Sequence, residues 1–544
     1  MDCPAGAVYY SASRVTHPEL PDQLGEPPMV VFYDALQREL QSRTYGLDGT
    51  EIKQDTDYDS AGRVSAVSEP YTDTRGESTQ YSNYNALGEA QRVDQPQGGY
   101  RTLAYTLENG WLRQTQTRTI VDSASTAEQV THRFLDPLGQ LRRTIDDHGI
   151  ATDFEYDVLG KVSSTLVNAN AASKVTVSHD VAGNKTALQD PATGPIHFAY
   201  NGFGELRVQT WRPDTPQAKS ITYAYDGLGR QTSRTDVSAA GASTQFAWTY
   251  DTLKQGYLTR ATGNGVTEDF SYNALAQVKD RSITQAGLAA KRFTYTYDAF
   301  GRLDTQSFPN GLAIRQQYQA SGVHARTTNV SIPAAPKVVW ALGEVLDARG
   351  DYQYIWFGNS AATGYERDPR SGLLTGITTG KVGGQLAGLK GDIQHLAYTW
   401  DSLGNLQGRS SRRTNSVGAA VENLSESFGY DGLNRLVSAT THNGGLLPVS
   451  VSYGYDAYGN LKHNRLGALA YQQTNGASLY GVTSVGGDAY HYDAYGNVSR
   501  LGSRTAEYDV FNKPVRIGNT SFTYGPGHEK VKTVSGTQTL YHFA

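Results

Sequence analysis

Apolar and polar positions alternate over short stretches all along the chain. Ile221, Tyr223 and Tyr225 alternate with Thr222 and Ala224; Phe293, Tyr295 and Tyr297 alternate with Thr294 and Thr296; Val451, Tyr453 and Tyr455 repeat the pattern. A period of two puts each set on one face of a β-strand. The stretches end on an acidic or amide residue with glycine close behind, as in Asp298-Ala299-Phe300-Gly301, and Arg302 and Leu303 open a return strand. There the Asp side chain accepts from backbone amides about two residues on while Gly takes a positive φ, the chemistry of a four- or five-residue hairpin loop on a type I turn. Asn serves the same role through its side-chain oxygen at Asn85, Asn201 and Asn273.

The unit recurs, with tolerated variation as Tyr-Asp-x-Leu-Gly-x-Leu, at Asp34, Asp59, Asn85, Asp157, Asn201, Asp226, Asn273, Asp298, Asp401, Asp431, Asp456, Asp493 and Asp509, with worn copies at Asp136, Asp180 and Asp251. Successive copies lie 25 or 26 residues apart at Asp34, Asp59 and Asn85, and 25 apart from Asn201 to Asp226, Asn273 to Asp298 and Asp431 to Asp456. That length fits two strands of about six residues and two connections, so each unit is read as one hairpin. The fold class expected is all-β, a tandem array of hairpins forming one long sheet.

These units, among them Tyr-Asp-Gly-Leu-Gly-Arg at Tyr225 to Arg230 and Tyr-Asp-Ala-Tyr-Gly-Asn at Tyr455 to Asn460, resemble the YD repeats of RHS-family proteins, which also occur in toxin-complex B and C components, polymorphic toxins and teneurins. The resemblance covers roughly residues 31 to 530. It implies a hairpin strip that spirals into a hollow shell around a toxic C-terminal polypeptide, released after self-cleavage at the shell's mouth. A curling sheet with one face to a lumen and one to solvent suits alternating Tyr/Thr strands better than uniformly apolar ones. The family's cleavage segment has two Asp-Pro elements; here Asp368-Pro369-Arg370-Ser371-Gly372 resembles only the first and reads as a divergent YD turn. The chain is therefore expected to be truncated before any autoprotease core or toxin.

Four segments are expected. Residues 1–30, with Pro18, Pro21, Pro27 and Pro28, form an extended lead-in; 31–305 form a regular array; 306–397 hold degenerate repeats or a lateral or plug insertion; 398–544 form a second array. In the third segment Phe308-Pro309-Asn310-Gly311 reads as a turn and Val339 to Gly343 as an eroded unit. Ser238 to Ser243 and Ser410 to Ala420 read as long hairpin tips or mobile loops.

Composition narrows the function. The 544 residues include 58 Gly and 36 Tyr but only 15 Phe and 1 Cys, so β structure with many turns is held by packing and sheet hydrogen bonds, without an intrachain disulfide. The net charge of −5 carries no dense basic run, which argues against nucleic acid as a partner. No signal peptide is recognisable at the N-terminus, and no stretch approaches the roughly 20 apolar residues of a membrane helix.

No catalytic, cofactor-binding or metal-ligating residue is assigned, and no cofactor. His528-Glu529 opens like a zincin helix, but Lys532 stands where the second His belongs. Asp55, Asp57 and Asp59 start like a calcium loop that then has Ser60 and Ala66 in place of Gly and Glu. Gly202-Phe203-Gly204 and Gly263-Asn264-Gly265 lack the third glycine of a dinucleotide fingerprint and read as turns, and Cys3 has no neighbouring base. His491, between Tyr490 and Tyr492, should face away from them.

The function expected is a non-enzymatic shell segment. Its partners would be a toxin cargo at its C-terminal side or a second, shell-completing chain, and it would work outside the cell or at its surface after export by a dedicated secretion system. The alternative is an exposed array that binds cell-surface glycans or a receptor through its tyrosines; a hydrolase or lyase using dispersed carboxylates ranks last.

Overall fold

In the computed structural model, residues 3–13, 29–46, 50–121, 126–318, 324–331, 337–381, 393–414 and 420–543 are described. Pro18, Pro21, Pro27 and Pro28 of the expected lead-in, and residues 415–419 of the expected loop after Ser410, lie outside them; Ser410 to Thr414 end a strand, Leu406–Thr414.

Each described strand pairs antiparallel with the next one in the chain except at the break between Val449–Ser452 and Gly454–Tyr455, so the topology is a meander. One sheet of 36 strands runs from Tyr9–Ser13 to Val449–Ser452, and a second of 11 strands continues it from Gly454–Tyr455 to Gln538–Tyr541. The described helical structure is one 3-10 turn, Ala171–Ser173. Between Leu303–Ser307 and Gln394–Trp400 the ladder continues through paired strands, with described turns at Phe308 to Leu312, where one was expected, and at Asp347 to Asp351, Phe357 to Ala361 and Asp368 to Leu373; Val339 to Gly343 lie within strand Lys337–Leu346.

Turns alternate between the two long edges of the strip. One edge carries the YD turns. The other carries the connections from one hairpin to the next, such as those following Trp211, Val237 and Gly263. Toward the end the hairpins shrink: strands of seven residues, as in Lys219–Tyr225 and Gln231–Val237, give way to strands of four or five, as in Val498–Leu501 and Arg504–Tyr508. The step between turns falls with them, from Asp493 to Asp509 to Gly525.

The strip coils on itself. Residues late in the chain bond to residues between 257 and 305 positions earlier: 305 for Ser402 and Gln97, 288 for Tyr458 and Asn170, 293 for Asn512 and Lys219, 257 for His542 and Gln285. One turn of the coil therefore takes between 257 and 305 residues of chain. YD turns of the second coil rest on the connecting-loop edge of the first, and the core sits at this seam. Val510 packs among Ile196, Trp211 and Ile221, and Val531 among Val266, Ile283 and Phe293.

The molecule exposes 30063 Å² of surface, whereas a compact globule of the same mass would expose about 19,000 Å². A sheet with two accessible faces accounts for the excess.

Candidate functional site

Two features are built by the repeat: a ladder linking each hairpin to the next, and the seam linking the coils. The ladder starts in the turn. At Asp226 the backbone amide donates to the carbonyl of Arg230 at 2.9 Å, and the amide of Gly229 to the carbonyl of Asp226 at 3.1 Å. Gly229 sits at φ 77°, where L side chains are strained. Pairing then shifts by one residue between Ala224 and Tyr225, so the loop is a type I turn closed by a G1 bulge. Asp226 Oδ1 accepts from the amides of Leu228 and Arg230 at 2.9 and 3.0 Å, and Oδ2 accepts from Arg230 Nε at 2.7 Å. The Arg230 side chain, then its amide, hold this carboxyl below its ordinary range.

The Arg reaches onward. Its guanidinium lies over Tyr250 of the next unit, 4.5 Å from the ring centre, and the Tyr250 hydroxyl donates to the carbonyl of Gln231, beside that Arg, at 3.0 Å. The same Asp–Arg–Tyr chain links Asp34, Arg38 and Tyr58, then Asp298, Arg302 and Tyr318, then Asp431, Arg435 and Tyr455. Trp400 substitutes for Tyr with its indole N–H on the carbonyl of Leu374 at 2.7 Å. Tyr58, Tyr250, Tyr318 and Tyr455 are thus held at both ring and hydroxyl, while Tyr200, Tyr225, Tyr297 and Tyr430 are held by the hydroxyl bond.

The Asn variants add a feature not anticipated from the repeat. Their side-chain oxygen makes the turn contact, but their NH₂ needs an acceptor where Asp needed a donor. Asn85, Asn201 and Asn273 accordingly donate to Glu89, Glu205 and Gln277 at 2.9, 2.6 and 2.9 Å, whereas Asp401, Asp456 and Asp493 accept from Asn405, Asn460 and Asn497. In these six turns the residue four positions on follows the polarity of the turn residue, a signal already present in the sequence, while Asp347 with Asp351 departs from it.

The seam holds the most buried charge. Lys219 donates to Asn512 Oδ1 at 2.7 Å, between the rings of Tyr495 and Trp211, and burial pulls its pKa down to about 8. Arg234 Nε binds Asp236 at 2.9 Å, and its Nη1 donates to His528 Nε2 at 2.9 Å, so the imidazole is neutral with its proton on Nδ1. Burial, then the charges of Arg234 and Lys513, hold His528 at about 4. Burial outweighs Arg234 at Asp236, whose carboxyl is raised, and it also raises Glu529. A cavity of about 280 Å³ beside this cluster is lined by Phe246, Asp509 and Phe511 among others.

The residues weighed in the sequence are dispersed. His528 lies in a turn, and Lys532 on strand Lys530–Ser535, not on a helix. Asp55 binds Gln41 and Tyr71, Asp57 binds Arg75, and Asp59 caps its turn. Gly204 and Gly265 are turn residues at positive φ; Cys3 is exposed; His491 faces Arg500. Asp368 accepts from Arg370 in the turn before Leu374–Lys381. Among the described residues no group of three or more His, Cys, Asp or Glu could hold a metal ion, and no helix is long and apolar enough to cross a membrane.

No protein-family model matches the chain, and no curated protein matches it. Solved structures do. A crystal structure of TcdB2-TccC3-TEV superposes with a TM-score of 0.74 at 15% identity, over 95% of this chain and 31% of that one. The Photorhabdus luminescens Tc holotoxin pore with a TccC3 mutation gives 0.75 at 16% identity, over 97% of this chain and 30% of that one. The chain thus spans about a third of the length of the proteins it superposes on. Its meander of YD hairpins is the RHS/YD-repeat shell fold carried by these toxin-complex structures.

Proposed function

We propose that this chain is a wall segment of a hollow shell that isolates a polypeptide cargo. The seam carries this reading: YD turns at Asp401, Asp431, Asp456, Asp493 and Asp509 rest on connecting loops one coil below, so a flat strip becomes a laterally closed wall. The large exposed surface supports an enclosed space. The repeat tyrosines weigh toward a structural role, since their hydroxyls are bonded to the preceding hairpin and Tyr58, Tyr250 and Tyr455 each have a guanidinium over the ring. The cargo or a shell-completing chain is the partner in this reading, and the assembly acts outside the cell that makes it.

Particle imaging of the purified chain tests the wall, and protease protection of a reporter polypeptide fused after Ala544 tests the enclosure. A curved wall around a lumen, with the reporter surviving digestion, is the expected result. A solid rod, or a reporter cut as fast as the free polypeptide, refutes the reading.

A further inference from the structure

The coil leaves two edges unpaired, and they are the two halves of the seam. In the second coil, apolar residues at the tips of YD turns are covered: Val510 is 4% exposed and Phe511 packs against the same cluster. In the first coil the equivalent tips stand free. Leu87, Leu138, Val181, Phe203, Leu228 and Leu275 are 67% to 98% exposed, each one or two residues after its Asp or Asn and all along one edge. The opposite free edge belongs to the second coil's connections, where Leu446, Leu447, Val449, Leu466 and Leu540 are exposed. Val449 opens its strand as buried Val266 does in the first coil, and Leu540 stands third in its strand like buried Ile221.

We propose that the YD-turn edge of the first coil docks a second copy of this chain through the connecting-loop edge of that copy's second coil; the proposal rests on the coiled-wall reading above. Isolated exposed leucines need no explanation, but one exposed apolar tip on hairpin after hairpin along the same edge marks an interaction surface. The occupant follows from continuity with the internal seam, which already joins these two kinds of edge, and both are carried by one chain. The smaller hairpins of the second coil do not spoil the fit. Tip spacing along the strip is set by the separation of neighbouring strands, about 4.8 Å, and not by strand length. Charge does not oppose it either, because tip aspartates such as Asp34 and Asp226 are paired with their own arginines. The two edges differ, so the contact is head-to-tail and copies stack along the coil axis.

The test uses the 544-residue chain in sedimentation velocity over a concentration series. One variant carries Leu138→Asp, Phe203→Asp and Leu228→Asp on the turn edge; the other carries Leu446→Asp, Leu447→Asp and Leu466→Asp on the loop edge. The wild type should form concentration-dependent oligomers and each variant should be monomeric. Mixing the variants should restore a one-to-one dimer, because each retains the edge the other lacks, a complementation that misfolding cannot produce. A wild type that stays monomeric at tens of micromolar, oligomers that survive in both variants, or a mixture that stays monomeric overturns the proposal. Imaging the monomeric variants separates this from the wall reading: a hollow coil without stacking defeats only the docking, and no lumen defeats both.

Discussion

The smallest unit of the fold is a choice of polarity within a five-residue turn. Asp298 takes the Arg302 side chain at 2.7 Å, while Asn273 gives its NH₂ to Gln277. Asp298→Asn alone sets one donor against another and should cost about 1 kcal/mol in urea unfolding. Adding Arg302→Gln should recover part of that, less the stacking of Arg302 on Tyr318. Equal stability of the single and double variants would refute the pairing rule. Tyr225→Phe should likewise lose about 1 kcal/mol, since the hydroxyl donates to the carbonyl of Leu206 and the carbonyl would be left half-buried and unpaired.

Between elements, the seam makes the coil, and its buried charges give it a pH signature. His528 titrates at about 4 in the folded protein against 6.5 ordinarily, so between those values the unfolded chain binds more protons. Stability should therefore fall as pH drops from 6.5 toward 4, and His528→Asn, which tolerates the positive φ of that position, should flatten the fall in a melting series. Lys219 works in the other direction. Folded at about 8 against 10.5, it makes burial costly below pH 8, so its contribution improves as pH rises from 8 toward 10, and Lys219→Met should remove that improvement. Ile221→Ala, in a fully buried position among Ile196, Trp211 and Val510, should cost about 2–5 kcal/mol and make the second coil cleavable by protease before the first. Uniform digestion of both coils would show that the seam is not the weak joint.

At the scale of the molecule, the consequence is size without density. A compact chain of this length has a radius of gyration of about 24 Å. Solution scattering should give a larger value, with a distance distribution skewed toward the wall-to-wall separation. A radius at the compact value would mean that the coils collapse on one another and leave no lumen.

The hairpin, its turn and its repetition were legible in the sequence because each depends on contacts within about 25 residues: the alternation of Phe293, Tyr295 and Tyr297, the Asp at the turn, the Gly at positive φ. The polarity rule was legible too, at Asn85 with Glu89 and Asp226 with Arg230, but it shows only once the turn residue and the fourth one after it are read as a pair. The eroded unit sought at Val339 to Gly343 lies in a strand, and the turn is at Asp347, where Leu346 replaces the Tyr that marks the motif. Only the tertiary structure decided which tips are covered. Leu228 and Phe511 hold the same place in the same turn, yet one meets solvent and the other the seam. The difference depends on what lies one coil away, 257 to 305 residues along the chain, a distance fixed by the accumulated twist and curl of many hairpins and written in no single one.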